Sequence, residues 1–496
     1  MFPYKTSISL DRKSNQALYL QLAKQLIELI KENRLPPKTK LPGSRTLASL
    51  LEVHRKTVVA SYEDLLLQGW IESIPKKGTF VHSNLPILHQ QSFADSSKRS
   101  LKKNAGFDFY QRVHLKSSTP SLNEGEISLN DGISDTRLTP IHELARIYRK
   151  ISSKKNAFQH LSYGSVFGNE ELRKQLAQYL NETRGLDLTK DSILITRGSQ
   201  NGIYLASQLI LKKGDIVLVG TSNYIAADVT FINQEANLLR VPVDEHGLNT
   251  TAIEELCKKE HIKAVYVTSH HHHPTTVTLS AERRIHLLNL AKRYNFAIIE
   301  DDYDYDFNYN HAPILPLASH DVHGNVIYIG SVCKTVAPVF RIGYMVGPKA
   351  FIEEAAKYRR IVDRQGDALL ELSFAEFIKT GDLDRHIKKV LKIYEVRRDL
   401  MCSLISTHLS KYFRFEIPKG GMAIWLTLSK PYTWKEVSEH AKQQQLSIGD
   451  WQRYDLAQTG HNAIRLGFAT YNEAEISDLI QRLQRTFTAI DAVKHQ

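Results

Sequence analysis

Between residues 192 and 331 the chain returns five times to a short, unbroken apolar run: SILIT (192–196), DIVLVG (215–220), AVYVTS (264–269), FAIIED (296–301) and NVIYIGS (325–331). These runs are rich in β-branched residues and do not alternate with polar ones, as expected of strands buried on both faces. The stretches between them, such as AERRIHLLNLAKRY (281–294), place apolar residues at helical spacing. Buried strands alternating with amphipathic helices build a mainly parallel sheet covered by helices. From about residue 125 to the end at 496, the expected architecture is therefore α/β.

The first 82 residues read differently. Leu18, Leu22, Leu26, Leu29 and Ile30 share one helical face, and Pro36 and Pro37 end that segment. LPGSRTLASLLEV follows, with Ser44 expected to cap a short helix. A third helix is predicted over RKTVVASYEDLLLQGW, with Val58, Tyr62, Leu65 and Leu66 on one side and Gly69 closing it. WIESIPKKGTFV then reads as two short strands around a Pro-Lys-Lys-Gly turn. Three helices and such a hairpin make a winged helix-turn-helix. Residues 1–82 hold 13 Lys and Arg against 7 Asp and Glu, about half of the chain's net +12. A basic module points to a polyanion, with double-stranded DNA the first candidate, although a solvated basic surface fits the charge alone equally well. Residues 83–124 are polar, Ser-rich and basic without a sustained period, and are expected to be a linker; a flexible chain of that length spans roughly 35 Å.

The segment LPGSRTLASLLEVHRKTVVASYEDLLLQGWIESIPKKGTFV resembles the GntR-type DNA-binding domain in both the order of its elements and their residues. A recognition helix reads base edges with its N-terminal residues. Here those are His54, Arg55, Lys56 and Thr57, of which Arg55 can pair with guanine in bidentate fashion. Ser44 and Arg45 begin the preceding helix, where N–H groups and a cation suit a phosphate. Lys77 and Gly78 fall at the wing tip. Tyr62 and Trp70 are expected in the core.

The strongest chemical signal is GSVCKTVAPVFRIGY (330–344). Lys334 follows a buried run, with Ser331 three residues before it and Arg341 seven after. A lysine that forms an imine must lie beside a phosphate-bearing aldehyde, and a hydroxyl and a guanidinium can hold that phosphate. The pattern resembles the Ser-x-x-Lys…Arg signature of fold-type-I pyridoxal-phosphate enzymes. FAIIEDDYDYDF ends a strand in carboxylates, and a pyridinium nitrogen needs a carboxylate partner to stay protonated. Asp301 fits that role, with Asp302 the alternative by register, and Tyr303 fits the phenol that bonds the ring hydroxyl. In ILITRGSQNGIYLA a strand runs into Gly198, Ser199 and Gln200 and then a helix, whose N–H groups suit a phosphate.

From about 160 to 470 the chain resembles the aminotransferase-like domain of MocR-type regulators, which join it to a GntR-type winged helix. The resemblance implies pyridoxal 5'-phosphate held as an aldimine on Lys334, a C-terminal α/β subdomain and a homodimer. It also implies cofactor roles for Gly198, Ser199, Gln200, Asp301, Tyr303, Ser331, Lys334 and Arg341, with Tyr224 stacked on the ring. Arg465 matches the family arginine for a ligand carboxylate, and Tyr163 one that reaches the partner's phosphate. The function implied is DNA-binding regulation in response to an amine, an amino acid or the cofactor itself. Two alternatives are a working aminotransferase with an accessory DNA-binding domain and a repressor whose large domain is only a dimerisation scaffold.

Departures from the family pattern cluster near the cofactor. Glu-x-Pro-x-Tyr becomes Gly220-Thr-Ser-Asn-Tyr224, and Thr-Pro-Ser-His-Gln-x-Pro-x-Gly becomes TSHHHHPTT, so that Ser269, His272 and Thr276 replace Pro, Gln and Gly. Phe-Ser before the lysine is Val332-Cys333. Histidines 270–273 are expected on a strand, where they alternate between two faces, so at most two converge and no metal is expected; His271 or His273 is the better candidate for a bond near the cofactor. Cys257, Cys333 and Cys402 are too scattered for a disulfide framework, and Cys333 is expected to be a small buried filler. With no apolar run of membrane-spanning length and no signal-like N-terminus, the expected location is the cytoplasm.

Overall fold

The computed structural model describes residues 2–85, 105–110, 125–309, 314–332, 334–455 and 459–494. The chain divides into two units, Met1–Gln111 and Arg112–Gln496. Of the expected linker, only residues 83–85 and 105–110 are described, and Cys333 lies outside the described residues.

The small unit runs α1 (Tyr4–Ser7), α2 (Leu18–Lys31), α3 (Ser44–Leu50), α4 (Arg55–Leu67), β1 (Ile71–Ile74) and β2 (Gly78–Val81). Leu22, Leu26, Leu47, Val58, Leu65 and Val81 close its core. Helix α1 is too short to leave a period in the sequence, yet it places Tyr4 in that core. Gly69, at φ +75°, lets the chain turn out of α4. β1 and β2 pair antiparallel, Ile71 with Val81 and Ile74 with Gly78.

The large unit is built on a seven-stranded sheet. Its strands are β3 (Ile193–Thr196), β4 (Ile216–Gly220), β5 (Asn237–Val241), β6 (Ile262–Val267), β7 (Ala297–Asp302), β8 (Val326–Ser331) and β9 (Gly343–Val346). The spatial order is β3-β9-β8-β7-β6-β4-β5. All are parallel except β9, which runs antiparallel between β3 and β8. The five apolar runs of the sequence are β3, β4, β6, β7 and β8. Strand β5 escapes that pattern because it lies at the sheet edge with polar Asn237 and Arg240 in it, and β9 because it is four residues starting at glycine.

In such sheets ligands bind beyond the carboxyl ends of the strands. Gly198, Asp301 and Ser331 all sit at that edge. A second, antiparallel sheet of β10 (Phe413–Arg414), β11 (Ala423–Leu428) and β12 (Ala463–Gly467) forms the C-terminal subdomain. It packs on α8 (Asp382–His408) and α9 (Glu473–Lys494) through residues such as Met401, Ile424, Ile480 and Phe487; helices α5 (Glu170–Arg184), α6 (Ser199–Ile210) and α7 (Ile225–Asn233) belong to the larger sheet's layers. The first described strand of the large unit, Ile127–Ser128, pairs with Leu446–Ser447. That pairing carries residues 129–134 back toward the main sheet's carboxyl edge.

Candidate active site and nucleic-acid interface

One cavity of about 390 Å³ brings together Ser199, Gln200, Tyr224, Asp301, Tyr303, Ser331, Lys334 and Arg341, eight of the nine residues expected to hold a cofactor. The ninth, Gly198, stands behind Arg341. Along β7 successive side chains face opposite ways. Asp301 therefore borders the cavity while Asp302 turns to the other face, where it accepts from Tyr328 (2.7 Å) and lies 3.2 Å from His270 Nδ1. Asp301 Oδ2 accepts from the Tyr266 hydroxyl (2.8 Å), whereas its buried Oδ1 has no partner among the described residues. Burial pushes the Asp301 carboxyl up to about 7. A buried acceptor with nothing to accept from fits a protonated ring nitrogen.

At the opposite end α6 opens with Ser199, and the first-turn N–H groups of a helix lack partners within it. Arg341 donates to the Arg197 carbonyl (2.7 Å), which holds its guanidinium over Gly198. A Cβ on Gly198, at φ +80°, would lie 2.8 Å from that guanidinium, and one on Gly343 would lie 2.7 Å from the Gly198 backbone. Both glycines are thus fixed by close approach. Gly343 was not singled out in the sequence, because its role appears only once β9 lies beside β3. A guanidinium, a helix start and the Ser331 hydroxyl at one end of a cavity suit a phosphate.

Between these ends Lys334 donates to the Gly132 carbonyl (2.6 Å). Asp131 also borders the cavity and pairs with Arg453 (3.1 Å). No sequence pattern marked Asp131, since it arrives from a stretch remote from every motif. Tyr303 donates to the His271 carbonyl (3.0 Å) and accepts from Arg465 (3.2 Å). Arg465 is buried outside the cavity lining, and its other donors go to the carbonyls of Asp131 (2.8 Å) and Pro274 (3.2 Å). Exposed Tyr163 does not border the cavity; the Arg364 guanidinium lies 4.1 Å over its ring.

Contrary to the strand expected for them, the four histidines lie in the bend after β6. They diverge. His270 faces Asp302, His271 bonds Asp304 (2.9 Å), and His272 bonds the Ser222 carbonyl (2.9 Å). His273 alone borders the cavity, its ring against those of Tyr224 and Tyr303, and burial brings its pKa down to about 4, so it stands neutral. Thr276, where the family pattern has glycine, takes φ +65°.

In the small unit, the expected cap of α3 is displaced by one residue: Gly43 takes the capping position and Ser44 is the first helical residue. His54 is the N-cap of α4, its ring nitrogen accepting from the Lys56 N–H (3.2 Å). Arg55 and Lys56 are exposed on the first turn of α4 with Thr57 half-buried beside them, and Arg55 Nε reaches Ser44 Oγ at 3.5 Å, next to exposed Arg45. The starts of α3 and α4 thus present one basic face. Lys77 lies in the hairpin turn and Gly78, at φ +115°, opens β2. Tyr62 is in the core, bonded to the Pro42 carbonyl (2.8 Å), and Trp70 packs at its edge under Lys31.

Residues 128–483 match the class I and II aminotransferase family, and residues 18–81 match the gntR family of bacterial regulatory proteins. The HTH-type transcriptional regulator YdfD of Bacillus subtilis is 30% identical over 463 residues, covering 91% of this chain and 92% of its own. The probable rhizopine catabolism regulatory protein MocR of Rhizobium meliloti is 24% identical over 488 residues, 97% of this chain and 96% of its own. A crystal structure of the kynurenine aminotransferase of Pyrococcus horikoshii, in complex with PMP, superposes with TM-score 0.68 and 30% identity over 73% of this chain and 91% of that one. Among the described residues no helix is long and apolar enough to cross a membrane.

Proposed function

Because the chain belongs to the class I and II aminotransferases and joins to that domain a gntR-type DNA-binding module, as MocR-type regulators do, we propose that it regulates transcription by holding pyridoxal phosphate at Lys334 and answering to a small amine or amino acid. The observation that carries this reading is the buried Oδ1 of Asp301, without a partner among the described residues, in the same cavity as Lys334, with the Arg341–Gly198 cradle at the far end.

Bound there, the cofactor supplies an electron-poor ring and an aldehyde carbon open to amines. Asp301 would keep the ring nitrogen protonated. Arg341, Ser331 and the start of α6, with Ser199 and Gln200, would hold the phosphate, and Tyr224 would cover one face of the ring. Tyr303 would turn its hydroxyl from the His271 carbonyl to the ring hydroxyl. Lys334, with its nitrogen turned to the cofactor, would give up the Gly132 carbonyl. A ligand carboxylate binding side-on to Nε and Nη2 of Arg465 would take the place of the Asp131 carbonyl and the Tyr303 hydroxyl as acceptors, because the bonds of that guanidinium among the described residues are all to protein oxygens. A ligand that binds one arrangement of these groups better than another shifts the protein between them, which is what regulation requires. In a homodimer, two copies of Arg45, Arg55, Lys56 and Thr57 would then engage two half-sites on double-stranded DNA.

The test is absorbance and DNA binding read together. Protein reconstituted with pyridoxal phosphate should show a visible band that Lys334→Ala lacks. Amino acids should perturb the band and the DNA affinity in parallel. A wild-type protein with no band would overturn the cofactor assignment. Sustained transamination with no effect of ligand on DNA affinity would instead favour an aminotransferase carrying an accessory DNA-binding domain.

A further inference from the structure

The large unit from residue 125 onward is nearly neutral, with 46 Lys and Arg against 43 Asp and Glu. Its charges are not evenly spread. The helix Ile141–Ser152 buries Leu144, Ile147 and Ile151. On its exposed side stand Arg146, Arg149 and Lys150, and Lys154 continues the same spacing one turn beyond. On α8, Arg385, Lys388, Lys389 and Lys392 repeat the pattern at i, i+3, i+4 and i+7, all exposed. Residues at these intervals share one helix face. With Lys155 and Lys379, residues 142–155 and 376–392 hold ten cations against four acids, Glu143, Glu376, Asp382 and Asp384. That surplus exceeds the surplus of the whole unit, so the remaining surface is net negative.

The two stripes belong to one surface. The helix Ala368–Lys379 packs against both. Lys150 reaches Glu376 on it (3.0 Å), and Lys150, Lys154 and Lys379 border one groove of about 310 Å³, together with His160 and the acid Glu171. The Asp382 carboxylate bonds Arg385 (2.5 Å) and also feels Arg146. Surface cations commonly stand beside acids that answer them. Here Arg149, Lys154, Lys388 and Lys392 make no ion pair among the described residues.

We infer that this double stripe is a second DNA contact, one that grips the phosphate backbone of duplex flanking the site read by the winged helix. Its chemistry suits no base readout: the groups are long, flexible and almost all cationic, which gives affinity without sequence preference. A duplex is the occupant because the chain carries its own DNA-reading module. The inference therefore rests on the regulator reading above.

The experiment uses full-length protein and two duplexes centred on a site recovered by selection from random sequence, one of about 20 bp and one of about 60 bp; the longer adds roughly 70 Å of flank on each side at 3.4 Å per base pair. Wild type should bind the longer duplex more tightly and with a steeper salt dependence. A variant carrying Arg149→Gln, Lys154→Gln, Lys388→Gln and Lys392→Gln should lose that gain, its log–log salt slope on the long duplex falling by roughly 0.9 for each phosphate no longer neutralised, while affinity for the short duplex stays within about twofold. Lys154→Arg, Lys388→Arg and Lys392→Arg together should keep the gain. A quadruple Gln variant with the full length-dependent gain would overturn the inference. So would an altered sedimentation mass with that gain intact, which would make the stripe an interface between copies. A wild type that binds both duplexes equally overturns this inference alone, whereas one that binds neither overturns the DNA-binding reading as well.

Discussion

Replacing Asp301 with asparagine separates the cofactor's demand for a carboxylate from the cost of burying one. Burial raises the Asp301 carboxyl from an ordinary 3.8 to about 7 in the cofactor-free cavity. Between those values the native state holds a proton that the unfolded state has released, so stability falls as pH rises. The displacement corresponds to about 4 kcal/mol once the pH exceeds 7, at 1.36 kcal/mol per pKa unit. Asn keeps the acceptor for Tyr266 and removes the charge. Cofactor-free Asp301→Asn should match wild type at about pH 3.5, below the ordinary carboxyl value, and become the more stable of the two by several kcal/mol near pH 8, read from urea unfolding of both proteins across that range. With pyridoxal phosphate bound the order should reverse, since only the carboxylate can pair with a ring cation. Superimposable pH profiles for the two cofactor-free proteins would refute the claim that Asp301 is an ionisable group waiting for a partner.

Gly198→Ala would force a Cβ to 2.8 Å from the Arg341 guanidinium at a left-handed backbone angle; it should weaken cofactor binding at least tenfold, about 1.4 kcal/mol, by equilibrium dialysis, and an unchanged Kd would remove Gly198 from the phosphate cradle. Arg55→Ala should lose about 1–3 kcal/mol on the selected DNA site and little on random duplex, so that equal losses on both would make Arg55 a backbone contact. Thr276→Gly should raise the melting temperature, because a β-branched residue held at φ +65° costs about 1–2 kcal/mol that glycine does not; a lower melting temperature would mean that Thr276 repays its strain in packing.

The fold was legible where burial leaves a composition signal. Five of the seven strands of the large sheet are continuous apolar runs because helices cover both their faces. β9 announces itself less well: four residues beginning at Gly343 are too few for a period, and its antiparallel insertion between β3 and β8 is a fact of topology. The cavity was legible where one motif supplies the chemistry, as with Lys334 and Asp301. It was not where remote segments meet. Asp131 and Gly132 lie about two hundred residues before Lys334, and only the pairing of Ile127–Ser128 with Leu446–Ser447 carries them there. The histidine run misled for a related reason. Alternation is a property of strands, and a bend after β6 aims four consecutive side chains at four separate partners.

The placement of Arg465 bears on how a ligand could be sensed. Lys334 and Arg465 are 131 residues apart in the chain, yet they donate to adjacent carbonyls, those of Gly132 (2.6 Å) and Asp131 (2.8 Å). Engaging the lysine nitrogen with a cofactor and engaging the guanidinium with a carboxylate would therefore both withdraw donors from one turn of backbone. Hydrogen bonds from charged donors contribute about 1.5–3 kcal/mol each. Losing the two together would amount to roughly 3–6 kcal/mol, against the 1–3 kcal/mol typical of coupling between sites. The turn cannot ease closer to the C-terminal sheet in compensation. Gly467 already packs so tightly on it that a Cβ there would stand 2.3 Å from Asn130 and 2.5 Å from the Gly132 nitrogen. A backbone turn pressed against glycine on one side and held by two cations on the other has few intermediate positions, so a cofactor and a ligand that between them withdraw both cations are expected to act as a switch rather than a graded adjustment.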